Sequence, residues 1–170
     1  MKRIYSILLA TGIGCIVGML TVIGQKYLPN DLNSLANSGA IWLIPAFYTA
    51  YLLRKELWYT IVICFDTLVF SVISYYVFEA IINAHSFVFG GFYMLLWIGC
   101  SIIGGIIFGF GAYYLGKDDK WISCFAINLL PAVFLSEGLN KVIHIAGYSH
   151  MIGAVIGDRK STRLNQSQDA

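Results

Sequence analysis

Charged side chains are scarce in this sequence of 170 residues, since Asp, Glu, Lys and Arg together make up 12% of it while 58% is hydrophobic. Soluble domains contain about 25% charged and about 45–50% apolar residues. Half the usual charge leaves too little polar surface to solvate a globule, which excludes an ordinary water-soluble domain. The small net charge of +2 has its basic residues between apolar runs rather than in a patch, so nucleic acid is not an expected partner.

Motifs for catalysis and for metal binding are also missing from the sequence. It contains no G-x-S-x-G, no H-E-x-x-H and no P-loop. The four cysteines lie in separate apolar runs without a C-x-x-C pair, and the three histidines lack the tight spacing of metal ligands. We therefore expect no enzyme activity, no metal site and no cofactor.

Long apolar runs fill the sequence instead. Crossing the hydrocarbon core of a bilayer takes about 20 helical residues at about 1.5 Å each. The runs predict an all-α fold, a polytopic transmembrane helix bundle of five to six spans in a single domain, residues 1–157. The predicted spans cover about 4–24, 32–53, 57–82, 87–115 and 121–137, with a sixth over 142–157 left open.

The distribution of Lys and Arg between the runs predicts the orientation of the chain in the membrane. Cytoplasmic loops carry an excess of basic residues. A cytoplasmic N-terminus places six basic residues inside and only Lys26 and Lys141 outside. The six are Lys2, Arg3, Arg54, Lys55, Lys117 and Lys120.

The second run is short and follows a polar stretch rich in Asn and Ser. Residues 39–53 are too few for a span, so we expect the helix to begin near residue 32 and to include this stretch. Asn37 and Ser38 should then face protein or water rather than lipid. With the predicted orientation they form a polar outer mouth. Pro45, inside this run, removes one backbone hydrogen bond.

Asp66 is the most informative single residue, because it lies near the middle of the third run. It is about 13 Å along the helix, where a charge costs at least about 2.5–3.5 kcal/mol. We therefore expect its carboxylate to face the bundle interior or a water-filled cavity. Two interpretations stay open, a cation or proton site, and a carboxylate that hydrogen-bonds to a neighbouring helix for packing.

Two other polar residues extend this candidate site. Asn128 lies in the fifth run at a depth similar to that of Asp66, which makes a hydrogen bond between the two a hypothesis. Glu137 lies near the outer end of the same run, on one helical face with Lys141 and His144. Structural ion pairing is one interpretation of Glu137; the rim of an outward-facing cavity, shared with Asn37 and Ser38, is the other.

Small residues recur every four positions in the first and fourth runs, a spacing that allows close helix packing in lipid. The packing residues are Ala10, Gly14, Gly18, Ser101, Gly105 and Gly109. Intramolecular packing is the main interpretation and oligomerisation the alternative. The third run has a similar stripe, which favours packing over a polar path. It consists of Thr60, Cys64, Thr67, Ser71 and Ser74.

The last 13 residues, "DRKSTRLNQSQDA" at 158–170, differ in character from everything before them. They have no apolar periodicity, and "DRKSTRLN" resembles the translation of a sequencing adapter. We interpret 158–170 as a non-native tail and expect the native C-terminus to differ. A cytoplasmic tail is the alternative.

The stretch "LPNDLNSLANSGAIWLIPAF", residues 28–47, resembles a family of small bacterial inner-membrane proteins with a domain of unknown function. Its L-A-N-S-x-x-x-W-L-x-P-A-F-like block corresponds to Leu35, Ala36, Asn37, Ser38, Trp42, Leu43, Pro45, Ala46 and Phe47. The resemblance covers roughly residues 5–155. It implies a multi-pass protein of the bacterial inner membrane whose later region is missing here, and it supplies no reaction or ligand.

Three functions are compatible with these patterns. The first is a small transport-type or permease-like protein, in which the polar outer mouth leads toward Asp66. The second is a non-transporting module that packs against or regulates other membrane proteins, or forms a homo-oligomer. The third is the substrate-binding subunit of a vitamin-type uptake transporter, which would dock its partner through Ala10, Gly14 and Gly18.

The first prediction concerns the solvent. Because the lipid bilayer is the expected partner of most side chains, the chain should fractionate with membranes and should stay monodisperse only in detergent or lipid. Size-exclusion chromatography with and without detergent measures this. A monodisperse peak in plain buffer would contradict the transmembrane interpretation.

Overall fold

The computed structural model describes residues 3–28, 38–83, 91–140 and 143. Throughout these ranges the regular structure is helical, and no strand occurs in them. The five helices are α1 (Arg3–Tyr27), α2 (Gly39–Leu52), α3 (Leu57–Ile82), α4 (Phe92–Tyr114) and α5 (Lys120–Asn140). All but α2 are long and apolar enough to cross a membrane. The all-α fold with helices of membrane-spanning length is thereby confirmed.

The chain divides into two compact units, Met1–Ala132 and Val133–Ala170. The first unit contains α1 to α4 and the first part of α5. Of the second unit the structure describes only the end of α5 and Ile143. The open sixth span, 142–157, and the tail, 158–170, lie outside the described residues apart from Ile143.

Two helix boundaries differ from the predicted ones. The helix of the second run begins at Gly39 rather than near residue 32, because the backbone of Ser38, its N-cap residue, is extended. The rest of the polar stretch, up to Asn37, is outside the described residues. The fourth helix begins at Phe92 rather than at 87, with Gly91 as its N-cap.

The outer surface of the helices is apolar. Leu8, Leu20, Ile81, Ile103 and Leu135 each expose between 59% and 74% of their surface. In water such a surface would be unstable, whereas acyl chains solvate it at no cost. The exposure pattern therefore agrees with the length of the helices in indicating a membrane protein.

Helix α3 makes the most extensive contacts, with α1 and α4 on neighbouring faces. It runs parallel to α1, since Arg3 pairs with Glu56 before α3 and Gln25 accepts a hydrogen bond from Tyr75 near its end. It runs antiparallel to α4, since Gly105 lies against Phe65 while the later Gly109 lies against the earlier Ile61.

The α1–α3 contact is made at backbone distance by two glycines of α1. A Cβ atom added at Gly14 would lie 2.5 Å from the carbonyl oxygen of Thr67, and one at Gly18 would lie 2.7 Å from the backbone nitrogen of Tyr75. Ala10, one turn before Gly14, is fully buried on the same face. Any larger side chain at the glycines would push the two helices apart.

The α3–α4 contact is also made at backbone distance, by two glycines of α4. A Cβ atom at Gly105 would lie 2.8 Å from the Cα atom of Phe65, and one at Gly109 would lie 2.6 Å from the Cα atom of Ile61. Ser101 is buried on this face and donates its hydroxyl to the carbonyl oxygen of Trp97. The small residues of both helices thus face α3.

Helix α2 contacts α3, α4 and α1. Ala46 and Phe47 are buried, and the Phe47 ring meets the Phe108 ring of α4 edge to face, with 6.5 Å between centroids. The Trp42 indole donates to the Thr21 hydroxyl of α1 at 3.0 Å. Much of the block that carries the family resemblance therefore forms the packing surface of α2, and the helix continues through Pro45 to Leu52.

The second prediction compares glycines on one helix. Gly14→Ala should destabilise the protein by about 1–3 kcal/mol, because its methyl group would overlap the backbone of α3. Gly12→Ala, with nothing within 4 Å, should be neutral or stabilise α1 by up to about 1 kcal/mol. Thermal unfolding in a fixed detergent measures both.

The same comparison applies to α4, with Gly105→Ala as the test and Gly99→Ala as the open control. Equal unfolding temperatures for the variants of either pair would show that the helices do not meet at these glycines.

Candidate functional site

Asp66 forms a hydrogen bond across two helices in the middle of the first unit. Its Oδ2 atom accepts from the hydroxyl of Thr11 on α1 at 2.8 Å. Thr11 and Asp66 are eight and nine residues into parallel helices, so they lie at the same depth, about 12–14 Å from the helix starts. Both side chains are half-buried. The pair is a polar contact between spans near mid-membrane.

This pair lies on the side of α3 that faces away from α2. The ring of Trp42 on α2 packs on Tyr75, with 5.7 Å between centroids. Tyr75 follows Asp66 by nine residues, about two and a half helical turns, and therefore projects from the opposite face. The Asp66 carboxylate therefore accepts a hydrogen bond from the neighbouring helix α1, which is the bond that one of the two interpretations of this residue expected.

We call this surface the carboxylate face. Its members share one side of the α1–α3 pair, and on α3 they are spaced at intervals of four and seven residues. They are half-buried or exposed, with Val62 at 45% and Val77 at 36% exposure. The carboxylate face consists of Thr11 from α1 and of Val62, Asp66, Ile73 and Val77 from α3.

The polar stripe of α3 is part of the packed interior. Thr60, Cys64, Thr67 and Ser71 are fully buried. The hydroxyls of Thr60, Thr67 and Ser71 donate to the carbonyl oxygens four residues earlier at 2.8–2.9 Å. Because their hydroxyls bond to their own helix, these residues bring α1 and α4 close to α3. The geometry thus favours the packing interpretation of the stripe over the polar path.

The structure does not join Asn128 to Asp66. Asn128 is exposed on α5, and its side-chain nitrogen donates to the carbonyl oxygen of Cys124 at 2.7 Å. Asp66 instead accepts from Thr11. The hypothesised Asp66–Asn128 hydrogen bond is corrected, because similar depth in two spans does not determine which faces of the helices meet.

The other candidate polar residues are not members of the carboxylate face. Ser38 is buried at the start of α2, the helix whose Trp42 packs on Tyr75. Asn37 lies outside the described residues. Glu137 is half-buried in the second unit, near the end of α5.

Sequence reasoning missed Thr11. It is one of a few hydroxyl-bearing residues in a glycine-rich apolar run. The signal that could have identified it is its depth, which matches that of Asp66 when the first and third spans run parallel. It also missed a cluster between α1, α2 and α3, where Trp42 bonds to Thr21 and packs against Tyr75. Tyr75 in turn donates to Gln25 at 3.0 Å.

The third prediction is a double-mutant cycle on the polar contact. Thr11→Val and Asp66→Ala should show a coupling energy of about 0.5–1.5 kcal/mol in unfolding, because each removes the same interhelical hydrogen bond. Asp66→Ala combined with Asn128→Ala is the matched control and should be additive. If Asp66→Ala and Asn128→Ala were coupled while Thr11→Val and Asp66→Ala were additive, Asn128 rather than Thr11 would be the partner of Asp66.

The chain was compared with protein families, curated proteins and solved structures. A family model described as "Family of unknown function (DUF6518)" matches residues 1–157. Neither a curated protein nor a solved structure matches the chain.

Proposed function

The chain belongs to DUF6518, a family of unknown function, and we propose that it is a docking module of the bacterial inner membrane. In this proposal it binds a transmembrane helix of another protein through the carboxylate face. It acts neither as an enzyme nor as a transporter. The observation that carries the proposal is the half-buried Asp66 carboxylate near mid-span, which accepts a hydrogen bond from Thr11 through one of its two oxygens.

The cost of exposing Asp66 supports a covering partner. A charged side chain at the centre of a bilayer costs about 2.5–3.5 kcal/mol or more, and such residues almost always face protein or water. The Thr11 hydroxyl satisfies one carboxylate oxygen. A partner helix on the carboxylate face would remove the remaining exposure to lipid.

Charge complementarity indicates the chemistry of that partner. Within the described ranges, all Lys and Arg side chains lie at helix ends or in loops, far from the depth of Asp66. A cation at mid-membrane depth must therefore come from outside the described chain. The proposed partner is a helix of a second protein with a Lys or Arg near its centre, because such a residue is itself costly in lipid without an acidic partner.

The packing of the interior supports docking over the alternatives. Gly14 and Gly18 are occupied by α3, so the α1 surface that a vitamin-type subunit would use for docking is not free. Ser38, the described member of the polar mouth, begins the helix whose Trp42 packs on Tyr75, on the face of α3 opposite Asp66, and this supports docking over a transport route.

The fourth prediction tests the partner with synthetic helices. Two Leu/Ala transmembrane peptides that differ by one central Lys in place of Leu are mixed with the labelled full-length protein in phosphatidylcholine vesicles. Energy transfer should show the Lys peptide binding wild type about tenfold or more tightly than the Leu peptide. Asp66→Asn should remove this preference, whereas Glu79→Gln, near the end of α3, should keep it.

Three outcomes would overturn the proposal. Equal binding of the two peptides would exclude a basic partner helix. Energy transfer between copies of the protein itself, lost in Asp66→Asn, would identify a second copy as the occupant. A small solute that raises the unfolding temperature of wild type but not of Asp66→Asn would favour transport.

A further inference from the structure

Within the first unit, helix α5 packs through one side and leaves the opposite side open. Buried residues make up 6% of its most apolar stretch, against 28–33% in α1, α3 and α4. On the packed side Ala126 is buried, and Leu129 fills the space that a side chain at Gly111 of α4 would need. On the opposite side Cys124 and Asn128 are exposed. A helix long enough to span the membrane therefore has a face that no described helix covers.

Asn128 lies near the middle of this open face. It is eight residues into α5, about 12 Å from the start of the helix, and therefore near the centre of a hydrocarbon layer about 30 Å thick. Two residues separate it from the buried Ala126, which turns its side chain about 200° around the helix, away from the packed side. A carboxamide at this depth contacts hydrocarbon unless another protein helix covers it.

The polar atoms at this point of α5 are only partly satisfied by the helix itself. The Asn128 side-chain nitrogen donates to the carbonyl oxygen of Cys124 at 2.7 Å and lies 3.7 Å from the sulfur of the same residue, a weak acceptor. No described residue donates to its Oδ1 atom. Pro131 has no N–H to give to the carbonyl oxygen of Ile127, four residues earlier. In hydrocarbon, an acceptor without a donor costs free energy.

A second copy of the chain matches this face in depth and in chemistry. All copies enter the membrane in the same orientation, because the same basic residues direct each of them. A twofold axis normal to the membrane then makes the two α5 helices parallel and brings each Asn128 to the depth of its counterpart. A carboxamide is both donor and acceptor, so each side chain can donate to the Oδ1 atom of the other. Two Asp66 carboxylates could not pair in this way, because ionised carboxylates only accept hydrogen bonds and repel each other.

The side chains on either side of Asn128 allow two copies to approach each other. Cys124 lies about one turn before it and Ala132 about one turn after it, and both are small and exposed. Because the Asn side chain is short, its nitrogen and oxygen come within about 3 Å of those of a second copy only if the helices pack closely. Bulky residues at these two positions would hold the carboxamides apart.

We propose that the chain forms a homodimer through the open face of α5, in which the Asn128 side chains of two copies hydrogen-bond to each other near mid-membrane. Residues close to a twofold axis face their own equivalents. Cys124 of one copy therefore lies beside Cys124 of the other, about one turn from the paired carboxamides. The dimer uses neither Asp66 nor Thr11, so this inference and the docking function can fail separately.

The fifth prediction measures self-association in lipid. Full-length protein labelled at its N-terminus with a donor or an acceptor dye is placed in phosphatidylcholine vesicles, and energy transfer is followed as added lipid dilutes the protein. Asn128→Val should raise the protein-to-lipid ratio at half-association about tenfold, because it removes the hydrogen bonds between the copies. Asn128→Gln keeps the carboxamide and should stay within about threefold of wild type. Ile103→Ala, exposed near mid-span on α4, is the control and should leave the ratio unchanged.

The native cysteines provide a second measurement that needs no change at Asn128. Oxidation with copper phenanthroline in vesicles should join two copies through Cys124, because the proposed dimer brings the two thiols within reach of a disulfide. Cys124→Ser should abolish this cross-link. Cys100→Ser, which removes the exposed cysteine of α4, should leave it intact. The cross-link tests the dimer even if Asn128→Val does not fold.

The inference fails on any of four results. Wild type that stays monomeric at every dilution, or folded Asn128→Val that associates as wild type does, would exclude a dimer held by these side chains. Loss of association in Asp66→Asn would place the second copy on the carboxylate face instead. A dimer that forms only in a chain ending at Asn140 would show that the segment after this residue covers Asn128 in the full chain.

Discussion

Backbone-to-backbone contact on both neighbouring faces of α3 is the constraint on which the other contacts of the first unit depend. Hydrophobic burial does not drive helices together in lipid, so association relies on van der Waals contact and interhelical hydrogen bonds. Gly14 and Gly105 bring α1 and α4 close enough for both. Only at this separation can Thr11 reach Asp66 and the Ser74 hydroxyl reach the carbonyl oxygen of Cys15. The hydrogen bonds between α1 and α3 thus follow from the absence of side chains at Gly14 and Gly18.

Much of the fold could be predicted from the sequence because its signals are local. Low charge and run length indicate membrane helices, and the four-residue spacing of small residues in the first and fourth runs indicates a close contact. The spacing of small residues does not identify the helix that packs against them, since Gly14 would fit any helix that presents small residues. The predicted start of α2 was too early because it rested on the length needed to cross a bilayer, whereas the extended backbone of Ser38 makes Gly39 the first helical residue.

For the candidate site, the sequence predicted only the depth of Asp66 in the membrane. The position of Asp66 along its run places it near mid-membrane, but depth does not determine the direction in which a side chain points. Asn128 was chosen as its partner on depth alone, whereas Thr11, at the same depth on a parallel helix, makes the hydrogen bond. To predict which polar residues of two spans meet, one must know how each helix is rotated about its own axis. A helix that is apolar on all sides has no amphipathic pattern from which this rotation can be read.

The pairing of α1 with α3, rather than with the helix that follows it in the chain, has a consequence for biogenesis. Arg3 and Glu56 are 53 residues apart, and Thr11 and Asp66 are 55 apart. During synthesis, α1 therefore emerges well before the surface it packs against. Until α3 arrives, its glycine stripe and threonine have only lipid, the insertion machinery or a chaperone beside them. Assembly of the first unit is thus a late, non-local event, and its rate depends on how soon α3 follows.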